Sequence, residues 1–233
     1  NIGEKNNDIE LSKRLAALAD VFVMDAFATS HRAHASTTGV ITFSDDACAG
    51  FLLDEELTAL SKVKENAKSS IAVLGGAKIS TKLSLIDSLS KTVDKVILGG
   101  GIANTCLAAK GYEVGKSLIE DSMLEEAKEL VANPKIIIPE SVIVSISADE
   151  PGRITSANSI QENEAIFDIA PASFVDLEPI IMNAGTILWN GPLGFFEKEN
   201  FFAGTAMMAE MIISSKGFSV AGGGDTISAA EKA

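Results

Sequence analysis

Short apolar runs that end in glycine-bearing turns recur four times along the chain. Ile71-Ala72-Val73-Leu74 leads into Gly75-Gly76, and Lys95-Val96-Ile97-Leu98 into Gly99-Gly100-Gly101. Thr186-Ile187-Leu188-Trp189 leads into Asn190-Gly191-Pro192, and Phe218-Ser219-Val220-Ala221 into Gly222-Gly223-Gly224. Runs this short and this continuously apolar suit strands covered on both faces, as in a parallel sheet, and the stretches between them suit right-handed helical crossovers. Helices are predicted over 79–92 and 201–216. Another opens on a capping box, Ser122 with Glu125, and stops at Asn133-Pro134. Lys135 to Ile146 reads as one or two strands kinked by Pro139, and 151–165 as polar, turn-rich chain.

Before residue 50 the rhythm differs. Residues 8–18 read as a helix and Val21-Phe22-Val23-Met24 as a strand. The polar segment Asp25 to Ser36 follows, with both histidines of the chain. Residues 50–66 form an amphipathic helix, read as a rigid connector after a boundary near residue 49. The chain opens without Met and closes on a helical pattern with no Gly or Pro after it, which reads as a piece of a longer protein.

Composition narrows the field. With 233 residues, 46% of them hydrophobic and 22% charged, the chain has the balance of a globular protein with ample material for a core. A net charge of −13 argues against nucleic acid and anionic membrane as partners. A small anionic ligand stays open, because a few local cations and backbone N–H groups dominate at close range. No segment reaches the roughly 18 to 20 apolar residues of a spanning helix, and no secretory signal opens the chain. Cys48 and Cys106 both sit among small or apolar neighbours, so buried free thiols and a reduced, cytoplasmic setting are expected.

Four glycine turns on one sheet edge point to a nucleotide or phosphate. Ligands of open α/β sheets sit outside the carboxyl ends of the strands, glycine admits close backbone approach, and the following helix offers free N–H groups. Tight turns needing glycine for geometry alone are the competing reading. The dinucleotide pattern G-x-G-x-x-G fails at both triple-glycine turns. Gly111-Tyr112-Glu113-Val114-Gly115-Lys116-Ser117 is one residue short of a phosphate loop and follows a helix, so it reads as a helix end and loop. Lys78 and Lys82, one helical turn apart at a helix start, form a candidate polyphosphate clamp, against two solvated surface lysines. Asp225 is either an N-cap or a carboxylate holding Mg²⁺. Glu197 is placed to accept from ribose hydroxyls. His31-Arg32-Ala33-His34 has the spacing of a zinc pair but no third ligand cluster. His31 and Arg32 instead suit an anionic substrate, against a structural polar loop.

Taken together, Asp25-Ala26-Phe27, His31-Arg32-Ala33-His34-Ala35-Ser36, Gly75-Gly76-Ala77-Lys78-Ile79, Gly99-Gly100-Gly101-Ile102-Ala103-Asn104-Thr105, Trp189-Asn190-Gly191-Pro192-Leu193-Gly194 and Gly222-Gly223-Gly224-Asp225-Thr226 occur in an order that resembles phosphoglycerate kinase over essentially the whole chain. The resemblance implies an α/β fold of two Rossmann-like three-layer domains with parallel sheets, the first only partly present. Residues 1–49 would be a remnant of the domain that binds 3-phosphoglycerate, 50–66 the interdomain helix, and 67–233 the nucleotide domain. It implies reversible, glycolytic phosphoryl transfer between 1,3-bisphosphoglycerate and ADP, with Mg²⁺ and ATP or ADP as cofactors and a monomer when complete. Arg32 and His31 would face 3-phosphoglycerate, and Lys78, with Arg32, the transferred group. Gly76, Ala77, Lys78 and Lys82 would lie along the phosphates and Gly100 on the adenine. Asn190 and Pro192 would line the nucleotide and Glu197 take the ribose. Gly223, Gly224, Asp225 and Thr226 would cradle the phosphates, with Asp225 on the metal.

Three positions depart from the family pattern. Ala28 and Ala170 stand where glycine is usual, so Ala170 would tighten the pocket if its backbone needs positive φ, and Thr81 stands for a common Asp. The resemblance also places the family's opening strands and closing segment outside the 233 residues, so the chain alone is expected to be inactive. A nicotinamide-dependent dehydrogenase and a non-catalytic adenine-nucleotide module are the other two classes. The failed dinucleotide pattern and the Lys78/Lys82 pair count against the first.

Overall fold

The computed structural model describes residues 2–65 and 69–233. The chain divides into two compact units, Asn1–Lys64 and Glu65–Ala233. Residues 66–68, which include the end of the predicted connector, lie outside the described residues.

In the first unit, helices α1 (Ile2–Lys5) and α2 (Ile9–Ala16) precede strand β1 (Val21–Met24). Helix α3 (Phe27–Ser30), a π-helical turn (Ala35–Gly39) and helix α4 (Val40–Phe43) follow. Strand β2 (Asp46–Ala49) pairs parallel with β1, Val21 opposite Asp46. Helix α5 (Phe51–Glu65) comes last. Asp8 accepts from the Leu11 N–H and starts α2 as an N-cap. Asp25, distant in sequence, accepts the Leu53 N–H in the first turn of α5 at 2.8 Å. A Cβ at Gly50 would overlap the Asp25 carboxyl, so a glycine there lets that bond form. β2 was not expected from sequence. Its residues are all exposed, and Cys48, expected to be buried, is exposed with them.

In the second unit a five-stranded sheet has the order β10-β9-β3-β4-β5. Its strands are β3 (Ser70–Leu74), β4 (Lys95–Leu98), β5 (Ile136–Ile137), β9 (Thr186–Asn190) and β10 (Phe218–Ala221), and every pairing is parallel. The four apolar runs are therefore strands of one sheet, with their glycine turns at one edge. Helices α6 (Leu83–Thr92), α7 (Gly100–Ala109) and α8 (Leu124–Ala132) cover one face. Ala72, Leu74, Val96 and Leu98 pack there against Ile86, Ile102, Leu107 and Leu130. Helices α9 (Phe174–Met182) and α10 (Ala203–Ser214) cover the other, where Ile71, Val73, Ile97 and Ile187 meet Phe174, Leu177, Ile181 and Met208. Alternate side chains of β3, β4 and β9 thus enter different cores, which is why these runs are almost wholly apolar, whereas the edge strand β10 is mostly exposed and carries Ser219. Helix α11 (Gly224–Lys232) ends the chain. The strand order reverses at β3: β4 and β5 lie on one side, β9 and β10 on the other.

Sequence reading missed a second sheet. β6 (Ser141–Ser145), β7 (Arg153–Ser156) and β8 (Ala165–Ile169) form an antiparallel sheet of order β7-β6-β8, added to the parallel one. Two helix starts also differ from expectation. Residues 121–123 make a 3₁₀ turn, α8 begins at Leu124, and its N-cap is Met123 with no side-chain bond, so the Ser122–Glu125 capping box is not formed. Helix α6 begins at Leu83 rather than 79. No described helix is long and apolar enough to cross a membrane.

Candidate functional site

The chain leaves β3 toward β4 on one side and returns to β9 on the other, so the turns after β3 and β9 diverge at the point where such sheets open a crevice. The turns themselves interlock. A Cβ at Gly75 would overlap the Pro192 carbonyl, one at Gly99 the Leu193 side chain, and one at Gly101 the Ala77 carbonyl. Gly76 holds φ +137°, a backbone region that only glycine occupies cheaply. Packing between neighbouring turns at Gly75, Gly99 and Gly101, and backbone conformation at Gly76, are reason enough for these glycines.

The turn after β10 is different. Gly224 has nothing within 4 Å of an added Cβ, and Gly222 has only the Asn190 amide at 3.8 Å. Gly223 sits at φ +99°. Nothing in the protein demands a missing side chain at 222 and 224, so the openness of this turn faces outward. Helices α6, α7 and α11 all begin at this edge, and none of the three has a side-chain cap. In α7 the Gly100 and Ile102 N–H groups are already taken by the Leu193 (2.8 Å) and Gly76 (3.2 Å) carbonyls, so it is the starts of α6 and α11, with their positive dipole ends, that suit an anion.

Asn190 is the hub. Its amide nitrogen donates to the Gly222 carbonyl at 2.7 Å, and its Oδ1 accepts from Lys82 Nζ at 2.6 Å. Lys82 Nζ also donates to the carbonyls of Gly75 (2.7 Å) and Asn190 (2.9 Å). Three acceptors match three ammonium protons, so Lys82 ties the ends of β3 and β9 together. Burial draws its pKa below the ordinary lysine range, and Asp225 nearby partly offsets this. The expected clamp is corrected here. Lys78 stands in the loop before α6 and Lys82 is the N-cap of α6, so the two do not share a helical face. Lys78 is exposed and makes no side-chain hydrogen bond among the described residues.

Thr226 commits its hydroxyl to the turns, donating to the Gly222 carbonyl and accepting from the Gly191 N–H, each at 2.7 Å. Asp225 is exposed at the second position of α11. Gly223 is the N-cap, so Asp225 does not fill that role. Glu197 is exposed, two turns of loop beyond Pro192. Gly100 joins this loop through its N–H to the Leu193 carbonyl at 2.8 Å. Ala170 has φ −78°, so alanine is unstrained there and the loss of a family glycine costs no backbone strain. Thr81 donates its hydroxyl to the Lys78 carbonyl.

Sequence reading missed Glu120. Its carboxylate accepts from the Ser80 N–H at 2.9 Å and the Ser80 hydroxyl at 2.6 Å, bracing the loop that carries Lys78. These bonds, with Lys78 adding a smaller share, hold its carboxyl below the usual range. Forty residues separate Glu120 from Ser80, so no local pattern could have linked them.

In the first unit, His31 and Arg32 are exposed in the turn after α3. The Arg32 carbonyl accepts from the Thr37 hydroxyl at 2.6 Å, which fixes the backbone and leaves the guanidinium outside. His34 lies 3.7 Å from Glu4. No group of three metal-ligating side chains exists among the described residues.

Fold and strand order define a doubly wound α/β protein with glycine-bearing turns at the carboxyl ends of its parallel strands. A family model described as phosphoglycerate kinase matches residues 1–233. Phosphoglycerate kinase from Coxiella burnetii superposes with a TM-score of 0.87 at 46% identity, covering 99% of this chain and 61% of that one. The enzyme from Pyrococcus horikoshii superposes with a TM-score of 0.82 at 30% identity, covering 96% and 60%. The chain belongs to the phosphoglycerate kinase family, and it spans about three fifths of the length of these relatives.

Proposed function

We propose that this chain supplies the nucleotide-binding part of a phosphoglycerate kinase, which transfers a phosphoryl group reversibly between 1,3-bisphosphoglycerate and ADP to give 3-phosphoglycerate and ATP. The observation that carries the proposal is the open Gly222–Gly224 turn beside Asp225, at an edge where α6 and α11 begin without a side-chain cap. In this reading residues 67–233 hold the nucleotide and residues 1–49 belong to the part that holds 3-phosphoglycerate, with a cytosolic setting and no macromolecular partner required.

The residues present fit the ligands. The N–H groups of Gly223, Gly224, Asp225 and Thr226 suit phosphate oxygens, with the Thr226 hydroxyl already engaged. Gly76, Ala77 and Gly100 give a base and phosphates a flat backbone to lie on, beside Asn190 and Pro192, and Glu197 is free to accept from ribose. Asp225 would hold Mg²⁺, which keeps most of its waters and needs only one or two protein carboxylates. When bound, the metal neutralises charge on the phosphate oxygens. Lys78, exposed and without a side-chain hydrogen bond among the described residues, is the cation for the migrating phosphoryl group, and Glu120 keeps its loop in place. Lys82 reaches phosphate only by releasing at least one of its three internal acceptors. Transfer of this kind rests on positioning and charge neutralisation.

His31 and Arg32 are the residues of this chain proposed to meet 3-phosphoglycerate. One guanidinium cannot neutralise both a phosphate and a carboxylate, so the 233 residues alone should bind adenine nucleotide without turning it over. The test is a Mg-ADP titration of the chain beside a coupled assay with 3-phosphoglycerate and Mg-ATP. Nucleotide binding without turnover is expected. Turnover at the level of a full-length family member would overturn the division of labour. Quenching of nicotinamide fluorescence in place of ADP binding would overturn the function.

A further inference from the structure

Asp168, on β8, is the one described carboxylate in the second unit that is both fully enclosed and without a cationic partner. It is 1% exposed. Its Oδ2 accepts from the Gly204 N–H at the start of α10 (2.7 Å), and its Oδ1 from the Ile169 N–H (2.9 Å). An added Cβ at Gly194 would overlap Oδ1, so the loop after β9 rests directly on this carboxyl. The same loop is fastened beside it by the Phe195 N–H to the Phe167 carbonyl (2.7 Å) and the Leu193 N–H to the Thr205 hydroxyl (3.1 Å). Asp168 therefore sits where the antiparallel sheet, α10 and the Asn190–Glu197 loop converge.

We propose that Asp168 is a positioning residue for nucleotide binding: as a carboxylate it fastens α10 and the Asn190–Glu197 loop in the binding geometry, and as a neutral acid it releases them. The proposal rests on the nucleotide reading above. A carboxylate accepts both N–H groups. A protonated carboxyl turns one of the two oxygens into a donor and a poorer acceptor, so one of the two bonds weakens. Burial pushes this carboxyl up to about 7, against the two N–H donors that lower it. The charged groups on the neighbouring elements are Glu197 and Lys198 in the loop, Glu199 in the turn after it and Glu210 on α10. Glu164 precedes β8 and is paired with Arg153, and β6 carries none. None of these perturbs Asp168.

The two consequences have opposite signs. Because the folded value lies above the ordinary 3.8, the stability contributed by the neutral acid is full below 3.8 and lost as pH rises through about 7. Loop positioning, and with it nucleotide affinity, follows the folded-state carboxyl and improves as pH rises through about 7. A role confined to structure would move stability alone.

The experiment follows the Gly204 and Phe195 amide resonances of the wild-type chain from pH 5 to 9, with and without saturating ADP. Asp168→Asn, which mimics the neutral acid, is titrated with ADP at pH 5.5 and 8.5 by calorimetry. The amides should titrate near 7 without ligand, and ADP should lower the midpoint by about one pH unit, the reciprocal of an about tenfold preference of ADP for the carboxylate form. The wild-type to Asp168→Asn affinity ratio should rise about tenfold between the two pH values, a comparison that cancels the titration of ADP itself. ADP that binds without moving the midpoint, or amides that do not titrate, would overturn the proposal. Absence of ADP binding by folded wild-type chain would instead overturn the nucleotide reading. Should Asp168→Asn fail to fold, the wild-type titration decides alone.

Discussion

Lys78 and Lys82 are four residues apart and of one residue type, yet the fold gives them opposite situations. Lys82 has all three ammonium protons engaged within the protein, whereas Lys78 makes no side-chain hydrogen bond among the described residues. Lys82→Met should therefore lower stability by about 2 kcal/mol, since hydrogen bonds from a charged group are worth roughly 1.5–3 kcal/mol. Urea unfolding that left its midpoint in place would contradict the tie. Lys78→Ala should leave the unfolding midpoint unchanged. In a full-length phosphoglycerate kinase carrying these residues it should reduce kcat by about two orders of magnitude or more, with KM for nucleotide little moved, because the group acts on the migrating phosphoryl. A KM effect with kcat intact would remove that role. The two thiols divide just as sharply. Cys48 is exposed, whereas Cys106 is buried with its pKa pushed up to about 12. One thiol per chain should react with Ellman's reagent in the native state and two after unfolding. Sequence showed both cysteines among small apolar neighbours, and for Cys48 those neighbours lie on a strand whose residues are all exposed.

At the level of elements, the turns after β3, β4 and β9 were legible because each follows a mostly apolar run of the kind that strands buried on both faces produce, whereas β10 carries Ser219, is largely exposed, and was marked by its triple glycine. Of the antiparallel strands, β6 falls within the strand reading of Lys135 to Ile146, but β7 and β8 were not legible. β7, Arg153-Ile154-Thr155-Ser156, is mostly exposed and short, so polar residues conceal its period, and β8 follows a turn-rich stretch. The Ser122–Glu125 box failed because a 3₁₀ turn occupies 121–123 and moves the helix start past Ser122. At the site, the glycines, Lys78 and Asp225 could be named from sequence. Lys82's internal ties, Glu120 and Asp168 could not, because their partners lie 7 to 108, 40 and 36 residues away. The packing contrast between turns yields its own test. Gly75→Ala should destabilise severely, its Cβ meeting the Pro192 carbonyl, whereas Gly224→Ala has open space and should change stability by less than about 1 kcal/mol. If the open turn faces phosphate, Gly224→Ala should still weaken ADP binding about tenfold. Unchanged affinity by calorimetry would mean that the turn does not contact the ligand.

Across the whole molecule, two compact units carry different shares of the proposed chemistry. Residues 65–233 hold the doubly wound sheet and every residue assigned to nucleotide and metal, whereas the first unit holds only His31 and Arg32 of the residues assigned to 3-phosphoglycerate. The central claim is that the carboxyl edge of this sheet binds a Mg-nucleotide through Asp225 and the turn before it. It is tested most directly by calorimetric titration of the 233-residue chain and its Asp225→Asn variant with ADP, each in the presence and absence of Mg²⁺. Binding by the wild-type chain that strengthens with Mg²⁺, and a loss in Asp225→Asn confined largely to the Mg²⁺ condition, is the predicted result. No binding by demonstrably folded protein, or an equal loss with and without Mg²⁺, would contradict the claim.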